Sequence, residues 1–178
     1  MLDNAIVPDT EITVARLSTL RNLQGLAGCA LRRALCAAVL HRVSGTNAAT
    51  VRQLALDSLD VLLVGLPVAT AERVRVRTQV ATAADRFARS RLGRRLLTMP
   101  VSRIAASPAP WADLMVRDSR GRKYAVVFAT QSVPFAFAEI TACMARELPD
   151  CRAVLMYNVE LGFSRRFPSR TQIGARCA

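Results

Sequence analysis

From Ile12 to about Arg42 apolar and small residues recur at three- and four-residue steps, with Leu17, Leu20, Gln24, Ala27, Leu31, Leu35 and Ala38 on one side, and this spacing predicts a helix. Asp9 or Thr10 after Pro8 supplies a start signal, and SGTN at 44–47 supplies the stop and the next cap. A second helix is predicted from about Ala48 to Val64, with Val51, Leu54, Ala55, Ser58, Leu59 and Leu62 on one side and Pro67 ending it. RVRVRTQV at 73–80 alternates strictly, so it reads either as an exposed strand with Arg73, Arg75 and Arg77 on one face or as the lead into a helix. TAADRFARSRLGRRLL is helical by its steps of four at Ala84, Ala88, Leu92 and Leu96, with Thr82 and Asp85 as a capping pair. It displays Arg86, Arg89, Arg91, Arg94 and Arg95.

After Pro100 the texture changes to short extended runs, VSRIAA at 101–106, ADLMVR at 112–117 and KYAVVFAT at 123–130. DSRGR, with Gly121, is a hairpin-length connection between the last two. PFAFAEITACMAREL is a helix with Pro134 near its first turn, and CRAVLMYNV at 151–159 is a buried strand. The expected fold class is α+β. It comprises a helical section at 1–66, a core at 67–160 with a small mixed sheet flanked by helices, and a basic tail at 161–178.

Charge changes this picture from a plain fold to one with a partner. The chain carries 25 Lys and Arg against 13 Asp and Glu, a net +12, and Lys123 is its sole lysine. Residues 66–110 hold nine Arg against two acids, and residues 161–178 hold four Arg and no acid, whereas the remaining segments are close to neutral. Such an excess, confined to one segment and the tail, is an electrostatic footprint for phosphate, although charge alone serves an anionic membrane surface or an acidic protein equally well. In the tail, Phe163 and Phe167 interleave with Arg165, Arg166, Arg170 and Arg176, the parts of a single-strand or backbone contact or of a free basic terminus. The longest apolar stretch, LQGLAGCALRRALCAAVL at 23–40, has Arg32 and Arg33 in its middle, so it reads as a buried or dimer-forming helix and not a membrane span. The acidic start, MLDNAIVPDTE, lacks the pattern of a signal peptide, and the expected location is the cytoplasm.

Several chemistries are excluded by what the residues lack. The five cysteines include no C-x-x-C pair and His41 is the only histidine, so neither a structural zinc site nor a disulfide framework is expected. A serine triad would have to use His41 at a helix end, and no phosphate-cradling glycine loop is present.

The order α-β-β-β-α-β over about residues 80–160 resembles the core of the restriction-endonuclease-like, or PD-(D/E)XK, nuclease superfamily. The resemblance implies an acid in the second core strand and an E-x-K in the third, the two carboxylates binding Mg²⁺ and the lysine helping to activate water. Asp113 in PWADLMV matches the first acid, and Val127-Phe128-Ala129 stands where the E-x-K would be, with Val127 and Ala129 sharing a strand face. Both the second acid and the amine are replaced. A displaced acid on the following helix would be Glu139, but it lies about 200° from Phe137, opposite the apolar side. Gln131 is a neutral candidate ligand, and Glu72 or Asp85 are carboxylates that tertiary structure would have to bring near. Asp113 also has a structural reading, as a turn cap at a strand entry.

The expected function is therefore non-catalytic nucleic-acid binding, or a structural role, on a degenerate nuclease-like fold. Arg73, Arg75, Arg77, Arg86, Arg89, Arg94, Arg95, Arg165, Arg166 and Arg170 are the contact residues, the partner is DNA or RNA, and no cofactor is expected. A first alternative is a Mg²⁺-dependent nuclease using Asp113 with a displaced acid, Asp113 then being a metal ligand. A second is an interaction module in which the small-residue helix holding Ala27 and Ala34 forms a homodimer or partner interface.

Overall fold

In the computed structural model the described residues are 23–41, 46–130 and 137–169. The expected start signal at Pro8 to Thr10, Ser44 and Gly45 of SGTN, Gln131, Pro134, Arg170, Arg176 and Cys177 lie outside them, as does the side chain of Glu139.

Among the described residues four α-helices precede the strands. Helix α1, Leu23–Leu40, buries Leu26, Ala30, Leu31, Ala34, Leu35, Ala38 and Val39 at helical spacing. Helix α2, Ala48–Leu63, starts where the side chain of Asn47 accepts the Thr50 N–H at 3.1 Å. Helix α3, Thr70–Arg89, resolves the ambiguous alternating stretch. Val76, Val80, Ala83, Ala84, Phe87 and Ala88 are buried at a 3.6-residue period, while Val74 of the alternating set is exposed. Helical burial over twenty residues thus outweighs eight residues of alternation.

The expected single helix from Thr82 onward is broken at Ser90. The Ser90 hydroxyl donates to the Phe87 carbonyl at 2.7 Å and accepts the Gly93 N–H at 2.9 Å, capping a separate helix α4, Arg91–Thr98. Gly93 permits that turn, because a Cβ there would stand 1.9 Å from the Phe87 carbonyl oxygen.

The sheet has five strands in the order β1-β2-β3-β4-β5. These are Ile104–Ala106, Leu114–Arg117, Lys123–Ala129, Cys151–Asn158 and Ser164–Pro168. The first is shorter than the pattern suggests, since Val101–Arg103 form a 3-10 turn after Pro100. Strands β1, β2 and β3 form an antiparallel meander, β4 lies parallel to β3, and β5 is antiparallel to β4. Helix α5, Phe137–Glu147, makes the crossover that the parallel pair requires. The chain is α+β, with a small mixed sheet between helices, as the pattern predicts. Strand β5 falls in the segment read as a tail.

Helices α1 to α4 cover one face of the sheet in a continuous core that includes Leu114, Val116, Val126, Phe128, Ala153 and Tyr157. The N-terminal helices therefore pack on the sheet, and Ala27 and Ala34 are buried within the chain's own core. The other face packs on Ile140, Met144 and Leu148 of α5 and its C-terminal end through Ala125, Val127, Val154 and Phe167. Phe87 joins the layers, meeting Phe128 and Tyr157 edge-on with ring centroids 5.6 and 5.2 Å apart.

The β2–β3 hairpin closes on Asp118. Its carboxylate accepts from the Arg120 and Arg122 N–H groups at 2.9 and 3.0 Å, from Arg122 Nε at 2.6 Å and from the Tyr124 hydroxyl at 3.2 Å. Burial acts upward on this carboxyl, but the Arg122 side chain and the two N–H groups outweigh it and hold its pKa down to about 2.

Phe87→Ala removes a fully buried ring and is expected to destabilise the fold by about 3–5 kcal/mol, read as a lower urea midpoint, with Phe87→Leu costing less. The contribution of Asp118 is present above its unfolded pKa of about 3.9 and is lost as pH falls through its folded value of about 2. An NMR titration of its carboxyl carbon should find that low midpoint, and Asp118→Asn should flatten this part of the acid limb of stability.

Candidate functional site

Asp113 stands at the entry to β2, with its N–H bonded to the Val126 carbonyl at 2.9 Å and its side chain only 6% exposed. One carboxylate oxygen accepts from Arg32 Nε at 2.6 Å and the other from the Phe128 N–H at 2.7 Å. The buried Cys36 thiol, one helical turn on from Arg32, also donates to it. Burial pushes the Asp113 carboxyl above the usual carboxylate range, and the Arg32 guanidinium, the Phe128 N–H and the Cys36 thiol act against that push without reversing it. Burial, together with the neighbouring Asp113 charge, pushes the Cys36 thiol up as well, so it is a neutral donor. Arg32 thus supplies the positive charge beside the Asp113 carboxylate.

The sheet also separates the positions that a nuclease would bring together. Val127 packs on the α5 side with Ala125, whereas Asp113 turns to α1 on the opposite side. Strand alternation takes Ala129 to the same side as Val127. These positions do not converge on Asp113, because Asp113 precedes β2 and its carboxylate turns to Arg32 of α1 while Val127 faces α5. Asp85 is held by Arg52 of α2, and Glu72 is exposed in the first turn of α3, so neither is gathered at Asp113. Lys123 pairs with Asp150 at 3.2 Å at the turn end of β3. Among the described residues no three His, Cys, Asp or Glu converge.

The arginines sort into paired and unpaired sets. In a helix, Arg73, Arg75 and Arg77 diverge by about 200° at each step, so the expected common strand face does not form. Arg77 is held by Asp60 of α2, which removes it from the free set. Arg75, Gln79, Thr82, Arg86 and Arg89 instead fall at steps of four, three, four and three along one exposed stripe of α3. Arg86 is fixed there, its Nη1 donating to the Glu160 carbonyl at 2.9 Å. Its stem lies against Gly162, where a Cβ would stand 2.0 Å from Arg86 Cδ and φ is +74°.

Arg94 and Arg95 are exposed on α4, and Arg95 shares a small cleft of about 100 Å³ with Arg166 of β5 and Tyr124 of β3. Arg166 lies 5.9 Å from the centre of the Tyr124 ring, and Arg165 lies 5.5 Å from that of Phe163. Phe167 is buried on the α5 side, so of the two expected stacking aromatics only Phe163, 39% exposed, reaches the surface. No described helix is long and apolar enough to cross a membrane.

Sequence reasoning missed Arg32 as the partner of Asp113. The signal was present, because a cation in the middle of an apolar helix requires a counter-charge wherever that helix is buried. Asp113→Ala should lower stability by about 1.5–3 kcal/mol, the range for hydrogen bonds to charged groups. Arg32→Leu combined with Asp113→Ala should cost less than the two single changes added, as a double-mutant cycle of urea midpoints would read. Comparisons with protein families, with curated proteins and with solved structures found no match for this chain.

Proposed function

We propose that this cytoplasmic protein binds the phosphate backbone of nucleic acid and does not cut it. The observation that carries the reading is the distribution of cations left over once ion pairs have formed. Among the described residues Arg75, Arg86 and Arg89 on α3, Arg94 and Arg95 on α4, and Arg165 and Arg166 on β5 are exposed and outside the ion pairs, as are Arg33, Arg91, Arg117 and Arg120 elsewhere on the surface. The former set occupies the helices on one side of the sheet and its β5 edge. A row of free guanidiniums supplies bidentate phosphate contacts and releases counterions on binding.

The lack of cutting rests on Asp113. A Mg²⁺ ion there would have to displace a guanidinium at 2.6 Å and would gain one carboxylate, since Val127 is apolar and packs on the other face of the sheet. The restriction-endonuclease-like resemblance is supported by the element order, by the meander of β1 to β3 and by the crossover through α5 to a parallel β4. This makes a degenerate member of that superfamily, in which an arginine has taken the cation's place, the consistent description.

Affinity for DNA or RNA should fall steeply with salt, and Arg75→Gln, Arg89→Gln and Arg94→Gln should each weaken binding evenly across sequences and reduce the log-log salt slope by roughly one. Binding that ignores salt would sink the reading. Mg²⁺-dependent cleavage abolished by Asp113→Ala would restore the nuclease in its place.

A further inference from the structure

A cavity of about 340 Å³ lies between α1 and α3, beside the arginine stripe. That volume falls within the range of about 300–1,000 Å³ usual for small-ligand sites. Its floor is apolar, from Ala27 and Leu31 of α1 and Ala83 of α3, and its polar lining includes Gln79, Thr82, Arg86 and Glu160. The Thr82 hydroxyl donates to the Thr78 carbonyl at 2.8 Å, which leaves its lone pairs as acceptors. Arg86 uses one N–H on the Glu160 carbonyl, and the guanidinium has four further donors. The Glu160 carboxylate lies against α1, with Oε1 3.3 Å from where a Cβ on Gly28 would stand.

We propose that this cavity receives one nucleotide unit, its base on the Ala27, Leu31 and Ala83 floor and its phosphate on Arg86, so that the protein favours single strands over duplex. The inference rests on the nucleic-acid reading above and narrows it. The combination of an apolar floor, a fixed guanidinium and a carboxylate fits a nucleoside phosphate better than a bare anion. The floor takes the base face, and the further donors of Arg86 take the phosphate. Only an unpaired base can leave its stack cheaply to enter. Along the α3 axis Arg75 stands about 16 Å from Arg86 on one side and Arg89 about 4.5 Å on the other. A strand whose base enters the cavity therefore meets cations both before and after it.

The test uses the full chain and Thr82→Phe, a change at an exposed rim position that fills the cavity, with retained helicity checked by circular dichroism. Cytidine monophosphate is titrated by amide NMR, and a short oligodeoxycytidine and a duplex of equal length by fluorescence anisotropy. In the natural chain the nucleotide should shift the amides of Gln79 to Arg86, and the single strand should bind more tightly than the duplex. Thr82→Phe should abolish those shifts and weaken single-strand binding by about tenfold, the scale of one lost base contact, with duplex affinity unchanged. Duplex binding without nucleotide shifts, or equal losses on both polymers, overturns the cavity proposal and leaves backbone binding standing. Nucleotide shifts without binding of either polymer overturn the backbone reading and retain the cavity as a nucleotide site.

Discussion

The ion pair between Arg32 and Asp113 ties the first described helix to the sheet across 81 residues of sequence. Neither partner is tolerable alone in its place. Arg32 sits in an otherwise apolar helix face, one-third exposed, and Asp113 is almost wholly covered. Removing either charge would leave the other desolvated and uncompensated. The pair also has direction, since Phe128 and Cys36 fix the carboxylate while Arg32 fixes the helix against it. The pair adds a polar tie between α1 and the sheet to the apolar packing of α1 on α2 and α3.

Elements whose signal is local were legible in the sequence. Helix α2 is bounded by a capping Asn47 on one side and by Gly65 and Pro67 on the other, and its bounds follow the pattern closely. The β2–β3 hairpin follows from two apolar runs around Asp118 and Gly121. Elements whose signal is tertiary were not. Strand β5, with the sequence SRRFP, does not alternate and has an arginine pair at its centre, and its pairing with β4 makes Phe167 a core residue. The break at Ser90 depends on Gly93 approaching a backbone carbonyl, which periodicity cannot register. Asp113 was the correct residue to question, yet the answer lay on a helix whose arginines had served only to exclude a membrane span.

Formal charge overstates what a surface offers. Arg52, Arg77, Arg122 and Arg146 each neutralise a nearby carboxylate, so their presence adds little to the outward field. The arginines of the α3 stripe, of α4 and of β5 have no such counterpart, and they share one side and one edge of the sheet. The same total of positive charge, scattered evenly, would give solubility without a preferred direction of approach.

The β5 edge has a second consequence. Among the described strands β5 is outermost, and the outermost strand of a sheet is where a further strand would add. Here that edge carries Arg165 and Arg166 at its centre and ends on Pro168, which has no N–H to give. Two copies brought edge to edge along β5 would oppose four guanidiniums, so the strand repels its own kind. The arginines that draw in a polyanion thereby also keep the sheet from growing.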